Sequence, residues 1–209
     1  VDDESRLSLL KTFDGEAAPQ PLLAPALQAK LGQLIEERKQ AKRLEGLGLV
    51  PTRSAIFVGP PGVGKTITAR WLAAQLGVPF YVLDRTAVMS SLLGRSGGNL
   101  RAARDFAKRS PCVLLLDEID AIAKRRSDDG DVGELKRLVT VILQEVDAWP
   151  AHSVLLAATN HPELIDPALW RRFDLELQFP APAEPEIKAA LVQFLAADGK
   201  QFSKWMDVL

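Results

Sequence analysis

A glycine-rich octapeptide constrains the fold of this chain more than any other segment. Residues 59–66 read Gly-Pro-Pro-Gly-Val-Gly-Lys-Thr and match the phosphate-binding pattern G-x-x-x-x-G-K-[ST]. The apolar run at 54–58 predicts a short buried strand before it, and helical spacing at 67–76 predicts a helix after it. Backbone N–H groups and the positive end of the helix dipole would then face an anion. This context favours a phosphate loop over an ordinary glycine-rich turn.

Individual residues of this segment have expected tasks. Lys65 would reach the β- and γ-phosphates of a nucleotide, and the hydroxyl of Thr66 would bind Mg²⁺. The predicted nucleotide-binding residues are Gly59, Pro60, Pro61, Gly62, Val63, Gly64, Lys65, Thr66, Ile67 and Asp117.

Strand and helix patterns alternate along the chain. Strands are predicted at 54–58, 79–83, 112–117, 153–158 and 175–179, and helices at 26–45, 64–76, 97–109, 132–147 and 184–197. Several strands are continuous apolar runs, which are typical of a parallel sheet covered by helices on both faces. The sequence therefore predicts an α/β fold.

Composition narrows the possible partners. The 209 residues carry a net charge of −1, which gives no global basic field for nucleic acid. No apolar stretch approaches the length of a membrane span, so we expect no membrane partner. Cys112 is the single cysteine, which suits a reducing compartment, and we expect a cytoplasmic protein.

Two carboxylates follow the apolar run 112–116. Asp117 would hold Mg²⁺, and Glu118 would polarise an attacking water. The simpler interpretation is a strand followed by a solvated acidic turn. The phosphate loop upstream favours the catalytic interpretation.

Asn160 follows another apolar strand and could orient the attacking water and sense the γ-phosphate, or simply cap a turn. Arg171 and Arg172 follow a short predicted helix. They could be ordinary solvated side chains, or they could act on the ATP of a neighbouring subunit. A guanidinium suits that role because it stays charged and binds phosphate oxygens in a bidentate way.

In order and approximate spacing, these motifs resemble those of the AAA+ ATPases. The resemblance is strongest to the AAA subgroup that includes bacterial AAA proteases, proteasomal ATPases and microtubule-severing enzymes. It implies a five-stranded parallel sheet of order 5-1-4-3-2 flanked by helices. It also implies that 26–182 form the large nucleotide-binding subdomain and that 183–209 begin a helical lid, incomplete here, with 1–25 as a leader or linker.

The same resemblance implies a function. It implies Mg-ATP hydrolysis at the interfaces of a self-associating ring, usually a hexamer. Thr66 and Asp117 would serve the metal. The catalytic residues implied are Lys65, Glu118, Asn160, Arg171 and Arg172.

The chain departs from the subgroup at several places. Many relatives separate their two finger arginines, whereas Arg171 and Arg172 are adjacent; Arg172 is favoured because Arg-Phe-Asp matches the family pattern. Leu92 occupies the aromatic position of the first pore loop, and 124–130 fall where a second would be. Asp147-Ala148-Trp149 replaces an Asp-Gly-Phe motif that signals nucleotide state between subunits.

Three functions are compatible with these observations. The first is ATP-driven remodelling of a protein substrate or partner. The second is an ATP-dependent assembly switch that regulates a separately encoded effector such as a protease, since no His-Glu-x-x-His motif occurs in the chain. The third is a nucleic-acid loader, which the near-zero net charge disfavours.

Overall fold

Among the described residues, six strands form one sheet. The structure is a computed structural model that describes residues 11–12, 18–83, 98–122 and 132–197. The strands are β1 (Lys11–Thr12), β2 (Ser54–Val58), β3 (Phe80–Leu83), β4 (Val113–Leu116), β5 (Val154–Thr159) and β6 (Leu175–Gln178). Across the sheet they lie in the order β1-β3-β4-β5-β2-β6. Strands β2 to β6 are parallel and have the predicted order 5-1-4-3-2. The predicted α/β fold is confirmed.

The helices follow the predicted alternation. They are α1 (Pro25–Lys39), α2 (Ala41–Gly46), α3 (Lys65–Leu76), α4 (Gly98–Ala107), α5 (Val132–Asp147), α6 (Pro167–Trp170) and α7 (Glu184–Ala197). Short 3₁₀ turns lie at Ile119–Ile122 and Pro162–Leu164. Among the described ranges, no helix has both the length and the apolar character needed to cross a membrane.

Two apolar clusters cover the two faces of the sheet because successive strand residues point to opposite sides. In β2, Ile56 and Val58 belong to one cluster, and Ala55 and Phe57 belong to the other. Helix α1 contributes to the second cluster through Leu27, Leu31, Leu34 and Ile35. Full burial of each such side chain stabilises the fold by roughly 1.5–3 kcal/mol.

Two features of the amino-terminal region differ from the sequence prediction. The helix predicted at 26–45 is divided at Gln40 into α1 and α2. Helix α2 has no buried residue, so no core contact holds it in line with α1. Within the segment predicted as a leader, Lys11 and Thr12 pair antiparallel with Val82 and Tyr81 at the edge of the sheet. A two-residue strand has no periodicity from which it could be predicted.

Gly59 is required by the close approach of β6 to the phosphate loop. A Cβ atom at this position would lie 2.2 Å from the backbone oxygen of Phe179 and 2.9 Å from its Cβ. Phe179 is itself fixed there, since its N–H donates to Val58 O at 2.7 Å. The first glycine of the octapeptide therefore has a packing role as well as a possible role in phosphate binding.

We expect Gly59→Ala to lower the free energy of unfolding by about 1–3 kcal/mol, because the added methyl group overlaps backbone atoms. Gly32→Ala is the matched control, since a Cβ at Gly32 in α1 meets nothing within 4 Å. That control should be neutral or raise stability by up to about 1 kcal/mol. Urea denaturation of both variants measures the difference, and equal stability of the two would contradict the packing role.

Candidate nucleotide-binding site

The carboxyl ends of three adjacent parallel strands bring the predicted site residues together. The phosphate loop follows β2, Asn160 follows β5, and Asp117 follows β4. Because β5 pairs with both β2 and β4, these three segments lie side by side at one edge of the sheet. Ligands in open α/β folds bind at this edge.

Lys65 connects the phosphate loop to the end of β5. Its Nζ donates to Gly59 O at 2.7 Å, to Pro60 O at 2.8 Å and to Asn160 Oδ1 at 2.7 Å. The residue is 8% exposed. Burial lowers the pKa of the Lys65 ammonium, and the carboxylates of Asp117 and Asp120 oppose that shift. The ammonium is thus held at the mouth of the loop by oxygen acceptors that phosphate oxygens could replace.

The start of α3 provides backbone donors beside this ammonium. Gly64 precedes the helix with φ of 91°, a left-handed conformation that an L side chain rarely adopts. In the described part of the chain, Thr68 N–H donates the first backbone hydrogen bond of α3, to Gly64 O at 2.9 Å. The preceding N–H groups therefore remain available to an anion. Ile67 is 51% exposed at the same helix end.

Thr66 and Asp117 place two hard oxygen ligands next to each other. The hydroxyl of Thr66 donates to Asp117 Oδ2 at 3.2 Å. Mg²⁺ prefers such oxygen ligands and is usually held by one or two protein groups together with substrate phosphates. The donor set thus fits the predicted magnesium site.

Glu118 has a backbone conformation that is unusual for its residue type. Its φ is 52°, and it is the non-glycine residue with positive φ in the described ranges. Its N–H donates to Oδ1 of the preceding residue, Asp117, at 3.0 Å. Strained backbone of this kind is frequent at functional sites. The side chain of Glu118 is exposed, whereas the side chains of the strand before it are buried.

Asn160 is held at the end of β5 by contacts on both sides. Its N–H donates to Asp120 Oδ1 at 3.2 Å, and the preceding residue Thr159 accepts a bond from Gly59 N at 3.3 Å. Asp120 is only 4% exposed. No role for this carboxylate was predicted from the sequence. The one indication in the sequence was that Asp120 lies two residues after Glu118, close to both predicted site residues.

Arg171 and Arg172 lie at the opposite edge of the sheet from the phosphate loop of their own subunit. They precede β6, whose first residue Leu175 pairs with Ala55 near the amino end of β2. The phosphate loop begins beyond Val58, at the other end of this five-residue strand. A strand of that length spans about 16 Å. The structure therefore does not bring the arginines together with the other predicted site residues.

The contacts of the two arginines differ. Arg172 Nη1 donates to Asp147 Oδ2 at 2.8 Å, and both side chains are about half exposed, at 51% and 46%. Such an exposed ion pair contributes at most about 1 kcal/mol, so it can open readily. Arg171 is exposed, and its side chain forms no hydrogen bond or ion pair with another described residue.

Asp174 anchors the segment that carries these arginines. Its Oδ2 accepts the N–H groups of Arg53 at 2.9 Å and Ser54 at 3.0 Å, and its own N–H donates to Ser54 Oγ at 3.1 Å. Phe173 is buried beside it at 8% exposure. The sequence pattern included both residues but gave them no task. Their contacts fix the turn in which the arginines stay exposed.

Trp149 lies in the core of its own subunit. It is 1% exposed and belongs to the cluster that contains Ile142 and Val146. In this position the Trp149 ring packs against the core of its own chain. Asp147, two residues earlier, is exposed and holds Arg172. The two pore-loop predictions, at Leu92 and at 124–130, lie outside the described residues.

Comparison with known proteins identifies a family. The model of the ATPase family associated with various cellular activities (AAA) matches residues 55–181. The chain is 40% identical over 161 residues to a protein of Sinorhizobium fredii named uncharacterized AAA family ATPase y4kL, covering 77% of this chain and 48% of that protein. It is 35% identical over 173 residues to the ATP-dependent zinc metalloprotease FtsH of Acidothermus cellulolyticus, covering 79% of this chain and 26% of that protein.

A solved structure shows the same relationship. The crystal structure of the FIGL-1 AAA domain in complex with ADP superposes with a TM-score of 0.74 at 25% identity, covering 95% of this chain and 68% of that chain. The chain spans half or less of the length of the two curated relatives, at 48% and 26%. The phosphate loop, the carboxylates after β4 and the family match over most of the sheet together show that this chain belongs to the AAA family of ATPases.

Proposed function

We propose that this chain binds Mg-ATP at the carboxyl edge of its sheet and hydrolyses it at the interface with a neighbouring copy. The observation that carries the proposal is the separation of the two halves of the site. Lys65, Asp117 and Asn160 gather at one edge, while Arg171 and Arg172 are exposed at the other. One copy therefore provides a phosphate loop on one side and guanidinium groups on another.

A head-to-tail arrangement of copies would join these halves. An interface that uses two different surfaces generates a ring when the rotation closes. An arginine placed on a phosphate in this way accelerates hydrolysis by about 10³–10⁵. Either arginine could serve, because the Arg171 side chain has no competing hydrogen bond or ion pair among the described residues and the exposed ion pair of Arg172 opens at low cost.

Within one site, the residues of this chain have distinct tasks. Lys65 would transfer its three hydrogen bonds to phosphate oxygens, and Thr66 with Asp117 would hold Mg²⁺, which would neutralise phosphate charge when bound. The exposed carboxylate of Glu118 would accept the proton of the attacking water. Release of Asn160 from Lys65 would leave its amide free to orient that water.

Hydrolysis would drive remodelling of a protein substrate or partner. The similarity to the FtsH metalloprotease, itself named as ATP-dependent, supports this use of ATP. The alternative is a switch in which hydrolysis times assembly with a separate effector. The replacement of an aromatic residue by Leu92 favours this alternative, because an aromatic ring gives more contact area for gripping a polypeptide.

For the ATPase, we expect Glu118→Gln to retain ATP binding and to lose at least about 100-fold in kcat, because an amide cannot accept the proton. Steady-state phosphate release and equilibrium binding of a fluorescent ATP analogue measure the two effects. Glu36→Gln, a change on the exposed surface of α1, is the control and should match the wild type. Wild-type kcat in Glu118→Gln would contradict the assigned role.

For remodelling, we expect an unfolded model polypeptide to stimulate ATP hydrolysis by the wild type, and Leu92→Ala to reduce that stimulation about tenfold through loss of apolar contact. Leu47→Ala is the control, because Leu47 is exposed, at 68%, and lies outside the segment that resembles a pore loop. Stimulation that is the same in Leu92→Ala as in Leu47→Ala would contradict the pore role and favour the switch.

A further inference from the structure

A buried carboxylate lies directly behind the candidate catalytic residues. Asp120 belongs to the 3₁₀ turn Ile119–Ile122 after β4 and is 4% exposed, whereas Glu118 is exposed. Burial of an ionised carboxylate is unfavourable unless hydrogen bonds or charges compensate it. A residue kept in such a place, without access to substrate, is expected to act through its neighbours.

The contact of Asp120 with Asn160 identifies that neighbour. Asp120 Oδ1 accepts the backbone N–H of Asn160 at 3.2 Å. On the other side, the carbonyl of Thr159 accepts the N–H of Gly59 at 3.3 Å. The backbone is thus fixed on both sides at the point where β5 ends, and one of the two fixing groups is Asp120.

Asp120 contacts the backbone of Asn160 and not its side-chain amide, which points to the site. The side-chain Oδ1 of Asn160 contacts Lys65 Nζ at 2.7 Å, while its main-chain N–H is used by Asp120. An amide that must orient a water needs a fixed Cα position, because a displacement of about 1 Å can reduce a rate about 100-fold. Asp120 supplies that fixed position without itself touching the reacting groups.

We propose that Asp120 is a positioning residue. It holds the backbone of Asn160 so that the side-chain amide of Asn160 can leave Lys65 and form a hydrogen bond with the attacking water. This inference rests on the proposed hydrolysis of ATP. It differs from a general stabilising role because it predicts coupling between Asp120 and one particular residue, Asn160.

Kinetics of a double-mutant cycle test the coupling. We expect Asp120→Ala to lower kcat by about 10- to 100-fold with KM for ATP changed by less than about threefold. Asp120→Asn, which keeps an oxygen acceptor, should retain kcat within about fivefold of the wild type. On an Asn160→Ala background, Asp120→Ala should lower kcat by less than about threefold further. Wild-type kcat in Asp120→Ala, or losses that multiply in the double variant, would overturn the proposal.

Amide hydrogen exchange tests the contact without any turnover. In the wild type with ADP, the Asn160 N–H should exchange slowly, and Asp120→Ala should accelerate it by at least about tenfold while β2 amides keep their protection. Rapid exchange of Asn160 in the wild type would overturn the proposal without any variant. Absence of ATP hydrolysis by the wild type would instead contradict the proposed ATPase activity. Slow hydrogen exchange of the Asn160 backbone N–H in the same sample would still support the contact with Asp120.

Discussion

Strand β2 pairs with β5 on one side and with β6 on the other, and these two pairings fix the positions of the phosphate loop and of the turn before β6. The β5 pairing sets the phosphate loop beside Asn160 at the carboxyl edge. The β6 pairing, reinforced by Asp174 at the amino edge, sets the turn that carries Arg171 and Arg172. Within one chain, Arg171 and Arg172 therefore lie at the opposite end of the parallel strands from the phosphate loop.

Charged side chains are buried at the carboxyl edge of the sheet, where burial without hydrogen bonds or opposite charges would be unfavourable. Lys65 and Asp120 are 8% and 4% exposed, respectively. Burial lowers the pKa of Lys65, and the nearby carboxylates of Asp117 and Asp120 oppose that shift. The three hydrogen bonds that Lys65 donates to oxygen atoms compensate for the hydration that its ammonium loses on burial. A phosphate group would supply stronger, charge-assisted contacts to the same ammonium.

The sequence predicted the features that depend on local pattern. Continuous apolar runs predicted β2, β4 and β5, and their polar ends predicted Asp117 and Asn160 at one edge. Features that depend on distant contacts were missed. The clash that requires Gly59 comes from Phe179, the anchor of the arginine turn joins Asp174 to Ser54, and the burial of Trp149 follows from packing under the sheet. The strand Lys11–Thr12 likewise depends on its pairing with β3 and not on periodicity. The division at Gln40 coincides with the absence of buried residues in α2.

A subunit-mixing assay tests the shared site most directly. Lys65→Ala copies keep the arginines but have an impaired phosphate loop, whereas copies with both Arg171→Ala and Arg172→Ala keep the loop but lack the guanidinium groups. Each should be nearly inactive alone. If copies mix at random in a ring with head-to-tail interfaces, an equal mixture should recover about one quarter of wild-type ATP hydrolysis. A mixture no more active than the sum of its two components would contradict a site built from two subunits.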